Sequence, residues 1–289
     1  MIQSCRDVIR DALFQPIGDL ERINPPKGHH AGLLLSRYLA GHWEEYDVPS
    51  LKGKPKRALL ERAVEACNAS RPIARHTVER WNTYLNSICD VVPFLDGYFK
   101  TVGRLVIGLG TENVLETGLT LHHTYGIPVL PGSALKGLAA HYCSEIWGVQ
   151  DEEFRKDITL EDGSKRVGQY FHEIFGTTED AGHVTFYDAM WSPARNDEGL
   201  FLDVMTPHHM EYYGGEATAP PADFDDPNPV SFLSFSGTLY VSISVDAPGE
   251  QGGAWVDLAF EILKQSLETW GAGGKTNAGY GVLLQEEEG

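Results

Sequence analysis

Pro131-Gly132-Ser133-Ala134-Leu135-Lys136-Gly137 opens the helix on which the reading of the fold turns. Pro131 and Gly132 turn the chain, and Ser133 is placed to cap a helix that runs from 133 to about 147. Lys136 falls in the first turn, where free N–H groups and the helix dipole favour an anion and disfavour a cation. A lysine there is explained by a negative ligand beside it. The alternative is an ordinary cap with an exposed lysine.

Working outward, residues 101–108 are β-rich and end in Gly108-Leu109-Gly110, which predicts a strand before this helix. Residues 182–190 predict a second strand. Residues 231–245 alternate through Phe232, Leu233, Phe235, Leu239, Val241, Ile243 and Val245, a third strand bent at Gly237. A second amphipathic helix over 255–270 follows, through Leu258, Ala259, Ile262, Leu263 and Leu267, and 279–285 closes as a fourth strand. The order β-α-β-β-α-β predicts an α+β, ferredoxin-like (RRM-like) core, an antiparallel sheet backed by two helices. One open face of such a sheet is the surface that RNA-recognition domains use.

The chain before this core reads as helical, with segments over 32–39, 57–67 and 76–89. Val78, Trp81, Leu85 and Ile88 recur at helical spacing in the last, and Pro25, Pro26, Pro49, Pro55 and Pro72 are expected to stop these helices. The expected division is therefore a mainly helical region over 1–97, packed on a domain over 98–289. The latter carries a long insertion at about 191–230, rich in Pro, Gly and Asp.

At 289 residues and a formal charge of −18, the chain is ordinary in its apolar and charged shares but strongly acidic. Such a balance excludes indiscriminate nucleic-acid binding, because phosphate contacts need local cations. The charge is uneven: 51–80 carries eight Lys/Arg against three Glu, a net of +5, and 195–230 a net of −7. No apolar run reaches the ~18–20 residues that span a bilayer. The four scattered cysteines form neither a metal knuckle nor a disulfide scaffold, which fits a reduced, cytoplasmic setting.

A second glycine-rich stretch, Gly271-Ala272-Gly273-Gly274-Lys275-Thr276-Asn277-Ala278-Gly279-Tyr280-Gly281, offers backbone N–H groups beside one lysine. It is not a P-loop: the position five before Gly274 is Thr269, and the loop follows a helix instead of a strand. A backbone-gripping loop for a polyanion, or a plain turn, are the remaining readings. Histidines fall in pairs (His29-His30, His122-His123, His208-His209) without metal-ligand spacing. His122 could donate to a phosphate or stack on a base. No cofactor motif and no nucleophile elbow appear, and nothing in the sequence demands catalysis.

Together these motifs carry a resemblance. Residues 118–128, the 131–137 segment, the block from Asp203 through Thr206-Pro207-His208-His209 to Tyr212-Tyr213, and the 271–281 loop resemble the RAMP-superfamily proteins of the type III-B CRISPR effector, the Cmr complex. The Thr-Pro-His-His block, with Asn24, 31–35 and Tyr38, is most similar to the family of its sixth subunit. The resemblance implies a ferredoxin-like core with a thumb-like insertion, in a ribonucleoprotein of antiviral defence. It implies a non-catalytic subunit gripping the CRISPR RNA near its 3′ part, through Gly132, Ser133, Lys136 and His122, with Gly271, Gly273, Gly274, Lys275, Thr276 and Gly279. Its implied partners are CRISPR RNA, target RNA, and the backbone, small and terminal RAMP subunits. In the backbone subunit of that complex a loop aspartate cuts target RNA; Glu116 stands in the comparable place here. The extra methylene displaces that carboxylate, which argues against cleavage.

Overall fold

The computed structural model describes residues 30–37, 54–110, 115, 117–194, 198–206, 229–246 and 249–286. Helices α1 (Ala31–Arg37), α2 (Lys54–Ala69) and α3 (Arg71–Ile88) precede strand β1 (Phe94–Thr101). After β2 (Val129–Leu130) come α4 (Gly132–Tyr142), a π-helical turn (Cys143–Trp147), β3 (Ile158–Thr159), β4 (Lys165–Arg166) and α5 (Gln169–Phe175). Then follow β5 (Val184–Phe186), β6 (Ala189–Trp191), β7 (Gly199–Met205), β8 (Val230–Ser236), β9 (Thr238–Val245), α6 (Gly249–Thr269) and β10 (Leu283–Gln285).

The main sheet is antiparallel in the order β10-β1-β9-β6-β2, with β5 paired to β9 beside β6. Strand β9 is its axis, and all eight of its residues are buried. Leu239, Val241, Ile243 and Val245 join Ile262, Leu263 and Leu267 of α6 in the main core. Tyr240, on the alternate parity, packs with Val78 and Leu85 of α3 and with Met190.

Alternation in β9 predicts polar residues facing water, and here the structure corrects the sequence reading. Helix α3 covers that face. The Trp81 indole N–H donates to Ser242 Oγ at 3.0 Å, Asn82 Nδ2 donates to the Tyr240 hydroxyl at 3.0 Å, and the Tyr187 and Ser244 hydroxyls bond at 2.8 Å. Each buried hydroxyl of β9 on this face thus has a partner, without which its burial would cost about 1–3 kcal/mol. Over β9 and β6 the sheet face expected to lie open for RNA is occupied by the protein itself, while over β1 and β10 Tyr98 and Leu284 on that face stay exposed.

Strand boundaries move as well. The first strand lies at Phe94–Thr101, not 101–108, because seven successive residues find register partners in β9. Gly103, at φ +82°, then turns the chain out of the sheet, and Leu105 bridges Phe235. The second strand breaks at Tyr187–Asp188 into β5 and β6. The third is two strands in two sheets: β8 pairs with β7 in a separate ribbon, β9 lies in the main sheet, and Gly237 joins them at φ +155°. A Cβ there would stand 3.0–3.3 Å from the Phe235 ring, Glu198 and the Trp191 indole nitrogen. Thr101 pins the crossing, its N–H donating to the Gly237 carbonyl (3.1 Å) and its Oγ1 accepting from the Gly237 N–H (3.0 Å). The last strand shortens to Leu283–Gln285, because Gly279 and Gly281 sit at φ +83° and +88°, outside the extended region. Pro72 starts α3, in whose first turn its missing N–H costs nothing, instead of stopping a helix.

The basic 51–80 segment is partly absorbed by the fold. Lys56 is buried, Arg57 pairs with Glu61 at 2.9 Å, and Arg71 donates to the carbonyls of Asn68 (2.8 Å) and Glu198 (2.6 Å). Arg75 and Arg80 remain exposed. No helix among the described residues is long and apolar enough to cross a membrane.

Two outcomes follow from this packing. Leu85→Ala, at the centre of the α3 contact, should lower unfolding stability by about 2–5 kcal/mol in urea titrations. Arg166 donates to both carboxylate oxygens of Glu153 and, with the Gln169 N–H, holds that carboxyl down at about 2 from the usual 4.5. A depressed carboxyl stabilises the fold above the unfolded value and loses that contribution as it protonates. Stability should therefore fall as pH drops from 4.5 towards 2, and Glu153→Gln should flatten that stretch of the curve.

Candidate functional site

The start of α4 is built differently from the sequence reading. Gly132 is buried, and its N–H donates to Asp188 Oδ1 at 2.7 Å. Asp188 sits in the break between β5 and β6, so the capping role expected of Ser133 falls to a carboxylate 56 residues away. The negative charge favoured by the helix dipole is thus already supplied from within. A Cβ on Gly132 would collide with the Phe186 carbonyl oxygen, so close strand approach explains this glycine. The N–H groups of Ala134 and Leu135 close onto the Pro131 carbonyl at 2.9 and 3.1 Å. Ser133 and Gly137 are exposed and Lys136 half-buried, which leaves their side of the first turns facing solvent.

His122 lies beside this cap. Its ring stacks on Tyr125 at 4.6 Å, and its Nδ1 accepts the Thr124 N–H at 3.2 Å, placing the neutral ring's proton on Nε2. Burial pushes its pKa below the ordinary 6.5; Asp188 opposes that fall, while His123 and His30 add to it. At neutral pH His122 is therefore a neutral donor, able to bond an oxygen without adding charge.

The glycine loop also has internal work. Gly274 N–H donates to the Val106 carbonyl, Ala272 N–H to Gly281, and Gly281 N–H to Arg104, each at 2.8 Å. A Cβ at Gly273 would strike the Val106 carbonyl oxygen, so the loop packs on 104–106 more tightly than any side chain permits. Gly271 is buried. Gly273, Asn277, Ala278 and Gly279 face outward, with Thr276 and Lys275 partly exposed. Lys275 is the one non-glycine residue at positive φ (61°) among the described residues, and its Nζ lies 5.8 Å from the Phe232 ring centre.

A ladder of backbone hydrogen bonds runs between the two glycine elements: Gly274 to Val106, Thr120 N–H to Ile107 (2.9 Å), and His122 N–H to Ile127 (2.8 Å), with Leu121 bridging Pro128.

Sequence reasoning missed one cluster beside Lys275. Arg104 lies over the Phe201 ring at 4.0 Å and donates to Ser234 Oγ at 3.2 Å, and Asp203 accepts from Ser234 (2.8 Å) and from the Tyr280 hydroxyl (3.2 Å). Only the β7–β8 register, with Phe201 opposite Ser234 and Asp203 opposite Phe232, brings these residues together. The single signal in the sequence was an arginine opening the apolar run Leu105-Val106-Ile107. Glu116 and residues 207–213 of the Thr-Pro-His-His block lie outside the described residues, as do Asn24 and Tyr38.

Residues 98–283 match the RAMP superfamily. Over 254 residues the chain is 30% identical to the CRISPR system Cmr subunit Cmr6 of Pyrococcus furiosus, covering 72% of this chain and 73% of that one. The chain belongs to the RAMP superfamily and to its Cmr6 branch. The CMR subunit Cmr6 of Saccharolobus solfataricus is 27% identical over 179 residues, 57% of this chain and 56% of that one. In fold, the RAMP chain resembles a chain of the type III-B Cmr-beta complex bound to cognate target RNA, with a TM-score of 0.54 and 20% identity over 82% of this chain and 76% of that one.

Asp188 links the cap to the histidine, which gives a paired expectation. Asp188→Ala should cost about 1 kcal/mol of stability, as loss of a helix cap does. In an NMR titration His122 should protonate below pH 6.5, and lower still in that variant, since the carboxylate that favours its charged form is gone.

Proposed function

We propose that this RAMP protein is a non-catalytic structural subunit of a type III-B CRISPR ribonucleoprotein. In this reading it grips the CRISPR RNA backbone near its 3′ part and helps position target RNA for antiviral RNA interference. The observation that carries the proposal is the 30% identity to a Cmr6 over nearly three quarters of both chains. The partners are CRISPR RNA, target RNA, and backbone, small and terminal RAMP subunits of a Cmr complex, in the cytoplasm.

The sequence of strands and helices β1-α4-β5/β6-β9-α6-β10 supports reading the core as ferredoxin-like, its start moved from residue 98 to Phe94, where β1 begins, with the helical region before it and 191–230 as the thumb. With β9 and β6 under α3 on the second sheet face, RNA would be held along the loop edge. There Ser133, Lys136, His122, Lys275 and Thr276 offer donors, Arg104 joins them with Asp203 3.8 Å away, and the exposed Gly279, its N–H given to the Thr276 carbonyl, leaves room for the strand. The buried Gly132, Gly271 and the bonded Gly274 would shape this edge instead of touching the strand. On a chain of charge −18, a few local cations must supply the attraction. Cleavage is assigned to other subunits.

Lys136→Ala should weaken RNA binding alike for every guide sequence and reduce the slope of log affinity against log salt by about 1, measured by filter binding from low to moderate salt. Lys275→Gly separates binding from folding. It should weaken RNA binding similarly while leaving stability unchanged or higher, because glycine relieves a left-handed conformation that costs about 1 kcal/mol. Guide-dependent losses would contradict backbone gripping. RNA cutting that disappears in Glu116→Ala would contradict the non-catalytic assignment.

A further inference from the structure

We infer that an aromatic pocket between α5, α6 and the turn at Glu152–Phe154 is a docking site for a protein partner. Its occupant is an apolar side chain flanked by lysine or arginine. The inference stands apart from the RNA-binding reading, on residues that reading does not use.

The pocket is lined by Phe154, Tyr170, Ala254, Trp255 and Leu258 and has a volume of about 310 Å³. That is the lower end of the range for small-molecule sites, roughly 300–1,000 Å³, and suits one or two inserted side chains. Its aromatic wall is continuous: Phe154 meets Tyr170 at 5.0 Å, Tyr170 meets Trp255 at 6.0 Å, and Trp147 backs Phe154 at 5.3 Å. The wall is also fixed in place. The Trp147 indole N–H donates to Gln265 Oε1 at 3.0 Å, and Gln265 Nε2 donates to Glu261 Oε1 at 2.8 Å. A preset aromatic pocket loses little side-chain freedom when filled, the property of interface hot spots.

The surroundings favour a protein. Trp147 ends a π-helical turn, a rare form that recurs at functional sites, and this turn and the residues after it leave Ile146 40% and Val149 72% exposed. Charge then decides the class of partner. From Asp151 to Asp180 there are nine carboxylates against four Lys/Arg. Exposed Asp151 and Glu152 precede Phe154, and exposed Asp257 and Glu261 flank Leu258 on α6. Of the nearby cations, Arg155 closes the turn and donates to the Gly148 carbonyl (2.6 Å), Lys156 after it is exposed, and Arg166 is engaged by Glu152 and Glu153. Such a rim repels a phosphate backbone and attracts a basic peptide.

The test uses the full chain and three fluorescein-labelled hexapeptides, KKLFKK, KKAAKK and EELFEE, followed by fluorescence anisotropy. KKLFKK should bind at least about tenfold more tightly than either of the others. Tyr170→Ala and Trp255→Ala should each weaken it by about tenfold. Asp257→Lys, at an exposed position that leaves the core intact, should weaken it a few-fold and reduce its salt dependence. Equal binding of KKAAKK, or affinity unchanged in both Tyr170→Ala and Asp257→Lys, would overturn the proposal. Displacement of KKLFKK by a uridine 12-mer would assign the pocket to RNA instead. A concentration-dependent dimer in sedimentation that Tyr170→Ala abolishes would assign it to a second copy of this chain.

Discussion

The covering of β9 on both faces is the constraint from which the rest of the molecule follows. A strand whose eight residues are all buried needs a helix on each side, and α6 and α3 supply them. The α6 side is apolar contact of the usual kind. The α3 side is mixed, with Ser242, Ser244 and Tyr240 buried only because Trp81, Asn82 and Tyr187 bond their hydroxyls. Those bonds fix the position of α3 more narrowly than hydrophobic contact alone, since a shifted helix would strand buried polar groups.

With both faces of β9 filled, the segments that flank the sheet carry the exposed loops. The crossing at Gly237 sends β8 into a ribbon of its own, and that ribbon holds Arg104 and Lys275 over aromatic rings at one end of the backbone ladder. At the other end, Asp188 caps α4, so a group outside the helix sets the electrostatics of its first turn. Arg104 and Lys275 lie where the ribbon and the glycine loop meet, and exposed Asp151, Glu152, Asp257 and Glu261 lie beside the aromatic pocket.

Much was readable from residue order. The alternation of Leu239, Val241, Ile243 and Val245 announced the central strand, and the spacing of Val78, Trp81 and Leu85 announced α3. The 131–137 and 271–281 segments, with the Thr-Pro-His-His block, pointed to the superfamily before any coordinates. Other features resisted. Thr101–Gly108 carries strand-like residues, yet the strand lies just before it, because pairing with β9 and the turn at Gly103 outweigh local propensity.

Local pattern therefore determined which segments could be helix or strand and which loops were glycine-dense, since periodicity and backbone freedom are properties of neighbouring residues. Tertiary structure alone decided what those segments meet: that α3 covers β9 on the second sheet face, that Asp188 and not Ser133 caps α4, and that Gly132 and Gly273 pack closely against backbone. The physical reason is that these hydrogen-bond partners lie 56 to 161 residues apart in the chain, at separations where no sequence period connects them.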